Sequence, residues 1–73
     1  MPVAAILAAI NVAVGLIPTA VSVGASITDV VGKIQKITSK DENAITQADV
    51  DELQAENGRL REEIEQLELE SEE

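Results

Sequence analysis

The residues best spaced for chemistry lie between Asp41 and Glu52. Asp41, Asn43, Asp49 and Glu52 fall at positions one, three, nine and twelve of an EF-hand-like calcium loop. The register fails where geometry is least forgiving, because Ile45 stands at position five and Thr46 replaces the glycine that position six needs for its sharp turn. A second reading explains the same residues: Thr46 as helix N-cap, Asp49 three residues on at the capping-box position, and Ile45 and Val50 as the two halves of a hydrophobic staple. On that reading a helix begins at Gln47, and no metal ligand set is expected. Nucleophilic catalysis finds no footing either, since Ser22, Ser26, Ser39 and Ser71 have no histidine to activate them, and the chain contains no His and no Cys. Glu62, Glu65 and Glu68 read as a solvated helix face rather than an acid/base pair. The expectation is a protein that is not an enzyme, with no cofactor and no small-molecule substrate.

The elements around these residues separate by charge. From Met1 to Thr28 there is no charged residue, whereas Glu62 to Glu73 holds seven glutamates and no base. The net charge of −9 and the mean hydropathy of +0.10 average over this contrast. An acidic tail repels phosphate backbones, so no nucleic-acid partner is expected. With 73 residues, no aromatic side chain and no disulfide, one copy has little with which to build a core of its own.

Val3, Leu7, Ile10, Val14, Ile17 and Val21 alternate in steps of four and three, which puts them on one helical stripe. Ala4, Ala5, Ala8, Ala9, Val12, Ala13 and Leu16 occupy the remaining faces, so the helix is apolar nearly all round and must be buried in protein or in bilayer. Pro18 predicts a kink. The pattern resumes with slipped phase through Ile34 and Ile37, so residues 1–37 read as one Pro-kinked apolar helix; a strand is the competing reading around Val21 to Ile27, where β-branched residues cluster. Residues 38–46 read as polar linker and helix cap, and residues 47–73 as an acidic heptad helix with a frayed tail. The expected fold class is all-α and oligomeric.

In the last segment, Val50, Asn57 and Ile64 take heptad position a, and Leu53, Leu60 and Leu67 take d. β-branched a with leucine d favours two parallel strands, and a lone Asn at a specifies register. Over Val50 to about Leu69 this resembles the dimerisation half of leucine-zipper proteins. The basic helix that precedes such zippers in transcription factors has no counterpart here, because SKDENAITQAD is acidic on balance. Glu56 would face Arg61 of a parallel partner, and Gly58 falls outward at b. The alternative packing is intramolecular, with Leu53, Leu60 and Leu67 against the first helix as a helical hairpin.

The uncharged segment exceeds the ~20 residues that cross a hydrocarbon core. Its small residues recur every four positions, as in Ala5/Ala9/Ala13 and Ala20/Gly24/Thr28. Asn11, Pro18 and the lack of interfacial Trp or Tyr weigh against an ordinary anchor, and Met-Pro lacks the basic residue of a signal-peptide n-region. The general pattern, an alanine-rich helix before a charged one, is similar to small phage-encoded virion or accessory proteins, which implies a structural role such as capsid cement, connector or membrane-associated virion component. It also resembles holins, which oligomerise in and permeabilise a bilayer, although their tails tend to be basic. The expected partners are therefore other copies of the chain, further proteins of a larger assembly and a possible membrane, with virion or membrane association favoured over a free cytoplasmic monomer.

Overall fold

A computed structural model describes residues 3–71; those parts of the expectations that fall on residues 1, 2, 72 and 73 lie outside the described residues. The described chain is helical without strands: α1 Val3–Val23, α2 Thr28–Thr38, a short 3-10 turn Glu42–Ala44, and α3 Gln47–Ser71. The strand reading around Val21 to Ile27 does not hold, because α1 continues to Val23 through backbone bonds that keep Val21 inside the helix.

The expected single helix over residues 1–37 is two helices, and the chain reverses at Gly24. α1 runs through Pro18. It ends where Gly24 adopts φ of 86°, the left-handed conformation that only glycine enters at little cost. The Gly24 N–H donates to the Val21 carbonyl at 3.2 Å and the Ala25 N–H to the Ala20 carbonyl at 2.8 Å, the paired bonds of a Schellman motif. Ala25, at the position whose apolar contact usually accompanies that motif, is buried. Two residues later α2 starts in the opposite direction.

Both shorter helices pack on α3. Along α2 the partners run antiparallel, from the Ser26 N–H donating to Glu63, through Asp29 with Arg59 and Lys33 with Glu52, to Lys40 with Asp49. Two reversals therefore return α3 parallel to α1, giving an up-down-up bundle with principal extents of 47 × 16 × 15 Å. The core consists of Ile6, Ala9, Ala13 and Ala20 from α1, Val30 and Ile37 from α2, and Val50, Leu53, Leu60 and Ile64 from α3.

Within one chain, the buried face of α1 is not the branched stripe. Ile6, Ala9, Ala13, Leu16 and Ala20 follow the same steps of three and four as the branched stripe, displaced by one residue. It is this alanine ridge that faces α3, with Ala13 and Ala20 at 0% exposure, while Leu7, Val14 and Val21 of the branched stripe stand 54%, 54% and 59% exposed. Val3, Ile10 and Ile17 lie half-buried along the boundary between the two. Short methyl side chains let the helix backbones approach closely, as the 3.0 Å bond from the Asn57 side chain to the Ala9 main chain requires.

This packing predicts that Ala13→Leu destabilises the chain by about 1–3 kcal/mol through overpacking, whereas Leu7→Ala leaves unfolding of the isolated chain nearly unchanged. Chemical denaturation of the two variants side by side checks it.

Candidate functional site

Two places in the bundle gather polar groups: the α2–α3 corner and the α1–α3 seam. At the corner, Thr46 precedes α3 and the helix begins at Gln47 as its cap signals predict. The Thr46 backbone N–H donates to Asp49 Oδ2 at 2.9 Å, which is the reciprocal half of the capping box, and the Thr46 hydroxyl donates to the same oxygen at 3.4 Å. The other half differs from the expectation: the Asp49 N–H is taken by the Thr46 main-chain carbonyl at 3.1 Å, not by its hydroxyl. Lys40 from the end of α2 closes the corner, its Nζ 2.8 and 3.0 Å from the two Asp49 oxygens. Asp49 is only 6% exposed. Its carboxyl titrates below the usual aspartate range, chiefly because Lys40 donates to it and secondarily because the Thr46 N–H does, with partial desolvation opposing.

That arrangement uses Asp49 as a tether between helices. Asp41 and Asn43 are exposed in and beside the 3-10 turn, and Glu52 pairs with Lys33. Among the described residues no three acidic, His or Cys side chains converge as a metal site would need. The hydroxyls of Ser39 and Ser71 donate to carbonyls one turn back, those of Lys36 and Glu68.

The second place is Asn57. Val50, Leu53, Asn57, Leu60 and Ile64 are all buried, and Leu67 is half-buried. Within one chain this seam is filled by α1 and α2, the intramolecular packing that the heptads also allowed. Asn57 Nδ2 donates to the Ala9 carbonyl at 3.0 Å across 48 residues of sequence. Its Oδ1 is sealed from solvent and has no donor. Beside it Ala8, Ala9 and Val12 of α1 and Gly58 and Arg61 of α3 border an open cleft, into which a side chain at Gly58 would project without meeting any atom within 4 Å. Glu56 turns to Arg59 of its own helix at 2.9 Å rather than to Arg61. Arg61 makes no ion pair among the described residues.

Sequence reasoning singled out Asn57, Thr46 and Asp49 but missed Lys40 as the partner of Asp49 and Ala9 as the partner of Asn57. No local pattern signals either pairing. Searches against protein-family models, curated proteins and solved structures find no match.

Two outcomes are expected. Removing an acceptor that lacks a donor should more than offset the loss of one amide–carbonyl bond, so Asn57→Val should stabilise the chain by about 1 kcal/mol, measured as a shift in denaturation midpoint at constant slope. For Asp49 the folded carboxyl lies below its unfolded value, so its stabilisation is present above the ordinary aspartate range and disappears as pH falls through the folded pKa. Asp49→Asn should therefore be less stable than the parent at neutral pH and converge with it in acid, as thermal melts between neutral pH and pH ~2, below the ordinary aspartate pKa, would record.

Proposed function

We propose that the protein is a non-enzymatic assembly subunit that self-associates through the outward stripe of α1, as a minor structural component of a larger particle. One observation carries this reading: α1 turns alanines into its own core and leaves larger branched side chains outside. A chain selected to stand alone gains most by the reverse, because burying a leucine or valine stabilises by roughly 1.5–3 kcal/mol and burying alanine by far less. Val3, Leu7, Ile10, Val14, Ile17 and Val21 hold a 3.5-residue period over three repeats, the spacing that keeps a seam facing a neighbouring helix.

A holin-like alternative is favoured by one feature. α1 is 21 residues long, has a mean hydropathy of 2.1 in its best window, and only 22% of that window is buried, so by length and composition it could cross a bilayer. Against it stands the distribution of side chains around the helix: Asn11, Pro18, Thr19 and Ser22 gather on the exposed side opposite the alanine ridge, where lipid contact would call for the most apolar residues. Of the exposed large apolar residues of α1, Leu7, Val14 and Val21 share one flank and Val12 lies on the other.

Sedimentation of the full chain with and without detergent, with vesicle flotation in parallel, separates the two. The assembly reading expects a detergent-free oligomer whose mass falls when Leu7→Gln, Val14→Gln and Val21→Gln are combined, with the chain still helical. Flotation with vesicles and dye release, both lost in the same variant, would instead establish the bilayer reading. A parent chain that stays monomeric and unbound in both assays would sink both.

A further inference from the structure

The cleft between α1 and α3 lies on the flank of α1 away from the branched stripe, and the two are independent. Its floor is Ala8, Ala9 and Val12, Gly58 leaves it open, and Gln54 and Arg61 stand at its edge. Such a cleft fits a single apolar side chain flanked by a carboxylate for Arg61. One described segment of this chain has that composition. Leu69 is 60% exposed, beyond the last core residue of α3, with Glu68 and Glu70 on either side and Ser71 next.

Leu69 cannot reach the cleft of its own chain. It sits eight residues past Arg61 on the same continuous helix, about 12 Å further along an axis that leads away. A second copy faces no such restriction. We propose that the C-terminal turn of α3, Glu68 to Ser71, docks into the Ala8–Val12/Gly58–Arg61 cleft of another copy, with Leu69 on the alanine floor and a flanking glutamate on Arg61. Charge complementarity supports this occupant: Arg61 makes no ion pair among the described residues, and the sequence beyond Arg61 holds seven glutamates and no base. The contact is head-to-tail, with different surfaces on the two partners, so it generates chains or rings rather than a closed pair.

The test uses two complementary blocks in the full-length protein. Gly58→Leu places a side chain at the cleft, where its Cβ has room, and Leu69→Glu disables the tail; Arg61→Glu supplies a second cleft block. Sedimentation velocity over a concentration series should give the parent a mass distribution that grows with concentration and shrinks with added salt. Each blocked variant, still helical by circular dichroism, should weaken that growth by at least about tenfold in apparent Kd. Mixing Gly58→Leu with Leu69→Glu should restore a one-to-one complex, because one partner keeps an intact tail and the other an intact cleft. Growth unchanged in the single variants, or a mixture no heavier than its components, overturns the proposal. The variant with Leu7, Val14 and Val21 changed to Gln carries cleft and tail intact and should still elongate, so failure of head-to-tail docking and failure of the α1-stripe reading give different results.

Discussion

The close approach of α1 to α3 is the constraint on which the rest of the bundle depends. Alanines at positions 9, 13 and 20 keep the α1 side of the contact to single methyl groups, and a main-chain carbonyl of α1 lies within reach of a side-chain amide on α3. Interaxial distance in helix packing follows the size of the contacting residues, and here small residues set it at the short end. With α1 drawn in by its alanine face, its branched residues are left on the flank, half-buried or exposed. The exposed stripe and the tight seam are two results of one rotation of α1 about its axis.

Asn57 shows what that close approach demands. In an apolar seam a carboxamide is costly unless its polar atoms find partners, and this one satisfies its nitrogen but not its oxygen. Conformational specificity is one use of such a residue: only one rotation and one axial offset of α1 place the Ala9 carbonyl opposite it. The bond fixes α1 against α3 in a core whose remaining contacts, methyl on methyl, discriminate poorly between registers.

The ends of the helices are held by different means. Gly24 stops α1 with backbone bonds alone, while the α2–α3 corner relies on Asp49 accepting from Lys40 and from the Thr46 backbone. The exposed pairs along α2 and α3, such as Lys33 with Glu52 and Arg59 with Asp29, contribute little each because water screens them. They do agree in register, all consistent with an antiparallel α2. Beyond Ile64 the α3 surface becomes acidic and its burial fades, so the last turns contribute charge and an exposed leucine rather than core.

By itself the sequence determined the helical class, the start of α3 at its Thr46/Asp49 signal, the apolar seam of α3 and the separation of an uncharged first helix from an acidic last one, because each of these follows from periodicity, capping chemistry or charge within a few residues. What it left open is how α1 is turned. Two ridges of the same period, displaced by one residue, are equally legible in its sequence, and periodicity cannot rank them; hydrophobicity ranks them the other way from the structure. Only the tertiary structure decided, through the presence of Asn57 on the facing helix and the reversal at Gly24. The partners of Asn57 and Asp49 are likewise invisible locally, since they come from Ala9, 48 residues distant, and from Lys40 across a turn. Packing one helix against another is a property of the pair, and no stretch of either helix contains it.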